Sequence, residues 1–229
     1  MGHQPQNSKL KTDFMAAFSV LVLIVYLTIA FYVVYRARES LIDQKLQQQE
    51  AMVSGKVVIK PLISDLEKIL NAQLEPLGLK GAIVVYLGKE QCVEVDKLKQ
   101  WPIVVENKTT TYALFVDWKS SSLTNLAGQA RELACLTPNR GVSQSSSLTP
   151  PLDKLQESFV IFSNTDQIPP FVEGALLFKL LKDQKPCQLS LRLVLRLQEV
   201  GRFTNTYNLV LSCIFQFRSA TLEDVVATR

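Results

Sequence analysis

Histidine is almost missing from this 229-residue sequence, since the one histidine is His3. An imidazole is the commonest general base, activates serine and cysteine nucleophiles, and often binds zinc. Residues 14–229 therefore lack the side chain that a Ser-His-Asp site, a Cys-His site or histidine-bound zinc requires. We predict a protein that is not an enzyme, with no catalytic residue.

Motifs for cofactors and metals are missing as well. The nine glycines form neither a G-x-x-x-x-G-K-[ST] loop nor a G-x-G-x-x-G turn, the two common phosphate-binding patterns. The four cysteines contain no C-x-x-C pair, which zinc and redox motifs use. We predict no cofactor and no metal. An even number of cysteines would allow two disulfides, but we expect free thiols, with Cys213 as a small buried one.

A strong excess of one charge is also absent. The net charge is +4, and from Ser54 onward 20 Lys and Arg face 17 Asp and Glu. Nucleic-acid-binding domains usually carry a clear basic excess. We predict no nucleic-acid partner.

Phe14–Tyr35 is a long run without charge, glycine or proline, and Arg36 and Arg38 follow it. About 20 helical residues cross a hydrocarbon layer of about 30 Å, whereas a signal peptide has only about 7–15 apolar residues. Aromatic residues and arginines at its end suit the lipid–water boundary. We predict a transmembrane helix over 14–35 with the lipid bilayer as partner. The anchor residues singled out are Phe14, Leu21, Leu23, Tyr35, Arg36 and Arg38.

The segments beside this run have simpler patterns. Residues 1–13 are polar and are predicted to be a disordered tail, and 36–53 are rich in helix formers and are predicted to be a helical stalk. A short coiled coil is the alternative for the stalk. Three basic residues follow the run and two precede it, which favours an outside amino terminus and a cytoplasmic domain over 54–229.

The domain over 54–229 begins with a helical pattern and continues with a period of two. Ser64 and Glu67 form a capping-box sequence before a helix predicted over Asp65–Glu75. Ala175–Leu181 suits either a strand or a helix. Asn107-Lys108 is predicted to turn a hairpin between two strands. The short strands are predicted near 56–60, 81–88, 92–96, 102–106, 111–118, 132–136 and 158–163.

The strongest strand pattern lies near the carboxyl end. Gln188–Gln198 and Tyr207–Arg218 alternate strictly, which indicates an antiparallel pair with one buried and one wet face. Ser219–Arg229 is predicted to be a tail. The fold class is therefore mainly β: one transmembrane helix plus an antiparallel β-sandwich-like domain with one short amphipathic helix. This layout is similar to that of membrane-bound immunoglobulin-like or LEA-type sandwich proteins.

Three polar groups are candidate sites. Glu94 and Asp96 lie two apart and could share acid–base work or a cation, but charges on a wet strand face are commoner. Asp117, followed by Ser120–Ser122, suits either a small polar site or a serine-rich turn. Asn107-Lys108-Thr109 is a glycosylation sequon, which we interpret as turn chemistry.

The wet face of the last two strands is the possible partner face. Its arginines could meet acidic lipid headgroups or an acidic protein, or could simply keep the sheet soluble. Arg202, in the connection, could join them. The partner-face residues are Arg192, Val194, Arg196, Val210, Ile214 and Arg218.

The predicted function follows from the anchor, the missing catalytic residues and the two-faced sheet. We expect a single-pass, non-catalytic membrane protein whose domain binds another protein, as an accessory, assembly or scaffolding factor of a membrane complex. The alternative is a tethered domain that binds or transfers a lipid or another apolar ligand. An enzyme would require a deep pocket lined by Glu94, Asp96 or Asp117.

Overall fold

The computed structural model describes residues 6–137, 141–165, 167–201 and 205–227, and for residues 6–22, 48, 49, 52 and 64 it describes the backbone alone. The chain forms two compact units, Met1–Ser54 and Gly55–Arg229. Arg202 lies outside the described residues.

The first unit contains one helix, α1 (Gln6–Val53), which begins inside the predicted tail and runs on through the predicted anchor and stalk. Its described large apolar side chains, from Leu23 to Leu46, are exposed. Phe14 and Leu21 belong to the part of α1 whose side chains lie outside the description. Taken over the described residues, no helix is long and apolar enough to span a membrane.

The second unit is mainly β, as predicted. In chain order its strands are β1 (Lys56–Pro61), β2 (Ile83–Tyr86), β3 (Gln91–Glu94), β4 (Trp101–Asn107), β5 (Tyr112–Val116), β6 (Ser122–Thr124), β7 (Ala130–Thr137), β8 (Gly141–Ser143), β9 (Ser147–Thr149), β10 (Asp153–Ile161), β11 (Gln188–Glu199) and β12 (Thr206–Ser219). Its helices are α2 (Ile63–Leu74), α3 (Gly174–Lys182) and α4 (Leu222–Ala227).

The strands pair antiparallel in one curled sheet, a half-barrel, where the sequence predicted two facing sheets. The order along the sheet is β2-β4-β10-β7-β6-β11-β12-β1-β3, with β5 and β9 branching from β11, and β8 paired to β7. The branch arises because β11 is long enough to pair with β6 through Ser190–Arg192 and with β5 through Leu195–Glu199.

The predicted pair of long strands is confirmed. β11 and β12 pair from Gln188↔Gln216 to Gln198↔Thr206. The odd-numbered residues of β11 from Leu189 to Leu197 are buried, as are Leu209, Leu211, Cys213, Phe215 and Phe217 of β12. Alternation along a strand places these side chains on one face, which forms the core of the half-barrel.

Helix α2 contacts two parts of the sheet that are far apart in the strand order. It buries Leu66, Leu70 and Leu74 and packs against β12 and β2. The predicted capping box is wrong, because the helix begins at Ile63 and its N-cap, Leu62, makes no side-chain cap hydrogen bond. Instead, the Leu62 N–H donates to the Ile214 carbonyl of β12, 2.8 Å away, and this bond fixes where the chain enters the helix.

Two further predictions are wrong, and one open choice is decided. β4 and β5 do not form a hairpin, because β4 pairs with β2 and β10 while β5 pairs with β11 and β9. Ala175–Leu181 is helical, within α3. The predicted tail contains α4, whose Val225 is buried.

Aromatic rings fill the centre of the half-barrel. The Trp101 ring meets the Phe215 ring edge-on at 5.2 Å, and the Phe159 ring stacks on the Phe171 ring at 5.6 Å. The cavity among them is about 10 Å³, close to the smallest space that holds one water. This cavity has no room for an acyl chain.

Candidate functional site

The outer face of β9, β5, β11 and β12 is the candidate site. In one row across the four strands lie Leu148, Phe115, Arg196 and Asn208, and Val194 faces Val210 in the next. Leu148 is 50% exposed, Val210 is 37% exposed and Ile214 is 36% exposed. An exposed group of large apolar side chains on a sheet is typical of a contact surface. We use the name outer face for this surface. Its main residues are Phe115, Leu148, Arg192, Arg196, Val210 and Ile214.

Two outer-face residues were missed by the sequence analysis. Leu148 lies in a serine-rich segment where the sequence predicts no strand, and its strand β9 has only three residues. Phe115 is half-buried and pairs with both Arg196 and Leu148. The alternation of β5 does place Phe115 opposite the buried Leu114 and Val116, but only the topology shows that β5 lies beside β11.

Val194 was predicted to be available on this face, and that prediction is wrong: it is 6% exposed. The turn between β5 and β6 is hydrogen-bonded to β11 at this residue. The Val194 N–H donates to Ser121 Oγ (3.0 Å), and the Asp117 N–H donates to the Val194 carbonyl (2.9 Å). The sequence gives no sign of this turn's position, because Val194 is distant along the chain.

Arg196 is on the outer face but its charge is already paired. Its Nε lies 3.5 Å from Asp117 Oδ2, and its Nη2 donates to Ser146 Oγ at 2.7 Å. The guanidinium is therefore held between β5 and the start of β9. A partner that binds at Arg196 would contact an ion pair of Arg196 and Asp117, which has no net charge and a fixed geometry.

Arg218 is likewise paired. Its two Nη atoms each lie 2.7 Å from an Asp224 oxygen, and Nη2 also lies 3.0 Å from Glu90 Oε1. These bonds raise the pKa of Arg218 and hold the pKa of the Asp224 carboxyl well below its usual range. Arg218 fastens α4 to the end of β12, so its main contacts are structural.

Arg192 differs from the other two arginines. It is exposed and stands between two serines, Ser122 of β6 and Ser212 of β12. Short cross-strand neighbours leave its guanidinium clear of the sheet. On β12 the neighbours on each side of Ser212 on this face are Val210 and Ile214, so a positive charge lies beside exposed apolar groups.

The candidate carboxylates take structural positions. Glu94 ends β3 and lies 2.8 Å from Lys97 Nζ, which lowers the pKa of the Glu94 carboxyl mainly through that hydrogen bond. Asp96 lies beyond the strand in a short 3-10 turn. The two are therefore not on one strand face, and their pairing as a site is not formed.

Asp117 belongs to the serine-rich turn. Its carboxylate accepts from the Ser120 N–H (3.2 Å) and from Ser120 Oγ (3.0 Å), while Ser121 Oγ donates to its carbonyl (2.6 Å). These bonds are those of a turn that links two strands. An open groove of about 410 Å³ lies beside the start of α3, and its lining includes none of Glu94, Asp96 and Asp117.

The cysteines are free, as predicted. Burial raises the pKa of the Cys213 thiol to about 11. Burial, together with the nearby Glu157 carboxyl, raises the pKa of the Cys135 thiol to about 12. Both stay protonated at neutral pH and have little nucleophilic character.

Comparisons with known proteins give no identity. The chain matches no described protein family and no curated protein. Among solved structures it is similar to Northeast Structural Genomics Consortium target SoR45, at 12% identity and a TM-score of 0.31 over 61% of this chain and 87% of that one. It is similar to a protein from Archaeoglobus fulgidus at 10% identity and a TM-score of 0.27, over 61% and 95%. Such low values carry no conclusion about function.

Proposed function

We propose that this chain is a single-pass, membrane-anchored protein without catalytic activity, whose β-rich unit binds another protein through the outer face. It would serve as an accessory, assembly or scaffolding component of a membrane complex. The observation that carries the binding role is the outer face itself, where Val210 and Ile214 stay exposed beside Arg192 and Leu148 is exposed two strands away on β9.

The anchor is supported by α1. The described part of its apolar run is LIVYLTIAFYVVY, from Leu23 to Tyr35, and its large apolar side chains are exposed all round the helix. Burial of apolar area is favourable by about 25 cal/mol per Å², so side chains of this kind favour a lipid environment over water. Arg36 and Arg38 are exposed where the run ends and suit the headgroup region.

The non-catalytic role is supported by the polar clusters. Glu94 is paired to Lys97, Asp117 is used by a turn and by Arg196, and Asp224 is used by Arg218. Each of these contacts has a structural purpose. The carrier alternative has less support, because the described cavity among the aromatic rings is too small for an acyl chain.

The test is a pull-down of the full-length protein from gently solubilised membranes, with mass spectrometry of what is retained. We expect a stoichiometric membrane protein with wild type, and loss of that protein with Arg192→Glu combined with Val210→Asp. Both positions are exposed, so the variant should fold. Lys154→Glu, a charge reversal at an exposed position of β10, is the matched control and should retain the partner.

Two results would contradict the proposal. A wild-type protein that runs only as a free monomer would remove the binding role. Co-purified lipid in the β-rich unit, found by native mass spectrometry, would favour the carrier instead.

A further inference from the structure

Asn107 is a buried asparagine that joins three chain segments. It is 1% exposed. Its Oδ1 accepts from the Thr109 N–H (3.1 Å) and from Thr109 Oγ1 (2.7 Å). Its Nδ2 lies 2.8 Å from the Tyr112 carbonyl, 3.2 Å from that of Thr149 and 3.1 Å from that of Pro150. The amide thus ties the end of β4 to the start of β5 and to the turn after β9.

The same three residues, Asn107-Lys108-Thr109, are an N-glycosylation sequon. An N-glycan is attached to Nδ2, is bulky and requires a surface position. At Asn107 it would replace a hydrogen that the three carbonyls use and would have to occupy the interior. A chain modified here before folding could not close the contacts of the Asn107 amide.

Two other features agree with a compartment that neither glycosylates nor oxidises. All four cysteines are free thiols, three of them buried. Disulfides are common in domains that mature in oxidising compartments. Exposed Arg36 and Arg38 directly after the apolar run place positive charge on the side of the β-rich unit, which the positive-inside rule assigns to the cytoplasm.

We propose that Asn107 is a structural lock that has to stay unmodified, and that the β-rich unit therefore folds on the cytoplasmic side with the amino terminus across the membrane. This inference rests on the proposed membrane anchor. It also implies that the partner protein binds on the cytoplasmic side of the membrane.

The experiment uses the full chain with a carboxyl-terminal epitope tag, translated into sealed endoplasmic-reticulum microsomes. Ala127→Thr adds a second sequon at residues 125–127, in the β6–β7 turn, where residues 127–129 are exposed and the acceptor Asn125 is only half-buried. As a positive control, the same variant with residues 1–35 replaced by a cleavable signal peptide enters the lumen and should gain glycans. Three readouts are taken: resistance to alkaline carbonate, digestion of the tag by external protease, and a mobility shift reversed by endoglycosidase.

We expect wild type and Ala127→Thr to remain in the carbonate pellet, to lose the tag to protease, and to show no glycan shift. A tag that is protected until detergent is added, or a shift at either sequon, would overturn the assigned side. Release by carbonate would instead contradict the anchor. The two failures are therefore distinguishable.

Discussion

The side chain of Gln73 on α2 bonds the backbone of Val210 on β12 as a neighbouring strand would. Gln73 Nε2 donates to the Val210 carbonyl at 2.7 Å, and the Val210 N–H donates to Gln73 Oε1 at 2.9 Å. The Val210 backbone lies where β1 no longer covers β12, because their pairing covers only Phe215–Ser219. Unpaired strand edges invite association with other chains, so one amide protects this edge.

Gln73→Ala should weaken the fold because it removes both bonds. Each hydrogen bond contributes about 0.5–1.5 kcal/mol net, so the free energy of unfolding should fall by about 1–3 kcal/mol. Urea unfolding of the full-length protein in detergent, followed by fluorescence, measures this. The only two tryptophans, Trp101 and Trp118, are buried in the β-rich unit and report its unfolding.

Lys68→Ala is the control for Gln73, since Lys68 is an exposed residue of the same helix. It should change stability by less than about 0.5 kcal/mol. Equal losses in the two variants would show that the Gln73 amide does not stabilise the edge. Self-association of the Gln73→Ala protein in sedimentation would further support its protective role.

Asn107→Asp should be strongly destabilising. The carboxylate keeps the acceptor for Thr109 but sets a negative charge against three carbonyl oxygens. Leaving such groups unsatisfied costs about 1–3 kcal/mol, and the added charge increases the loss. Because burial raises the pKa of the new carboxyl in the folded state, the variant should recover stability as the pH falls through that pKa.

Asn125→Asp is the matched control for Asn107. Asn125 Oδ1 accepts from the N–H groups of Ala127 and Gln129 in an exposed turn, and a carboxylate can accept the same bonds. Unfolding curves from pH 4 to 8 should show a large, pH-dependent loss for Asn107→Asp and a small one for Asn125→Asp. Similar unfolding curves for the two variants would contradict the structural role of the Asn107 amide.

Thiol labelling should follow burial. Cys92 is half-buried, whereas Cys135, Cys187 and Cys213 are buried. At pH 8 an alkylating reagent should modify Cys92 first, while Cys135 and Cys213, with pKa values of about 12 and 11, react only after unfolding. Peptide mass spectrometry over time, with and without urea, measures the order. Early labelling of Cys135 would contradict its buried position.

Asp224→Asn should loosen α4 and leave the sheet intact. The Asp224 carboxylate binds Arg218 and also accepts from the Thr221 N–H and hydroxyl. Since the folded pKa is lowered, this stabilisation is present above the ordinary aspartate pKa and is lost as pH falls through the folded value. Hydrogen exchange should rise in Leu222–Ala227 for this variant, and should stay unchanged for Glu223→Gln.

The sequence predicted some elements well because their evidence is local. The β11–β12 pair follows from alternation over eleven residues, and α2 follows from apolar residues at helical spacing. The buried thiol at Cys213 follows from the same alternation. These features require only the period of the chain, which each segment carries by itself.

Other features depend on which strands become neighbours. The predicted hairpin at Asn107-Lys108 is wrong because the chain passes from β4 to β5 in another branch of the sheet. The Asn107 amide holds this connection through its bonds to the Tyr112 and Thr149 carbonyls. Val194 is buried because a turn from a distant segment closes on it. The outer face gained Leu148 and Phe115 for the same reason, since β9 and β5 reach β11 only in the folded chain.

By itself, the sequence determined a mainly β domain behind a long apolar run, an amphipathic helix, and a chain without histidine chemistry beyond residue 3. Tertiary structure alone decided that the sheet is one curled half-barrel, that α2 packs on β12 and β2, and which arginines are already paired. The physical reason is that periodicity fixes the faces of each element, whereas pairing between distant strands depends on the packing of the whole unit.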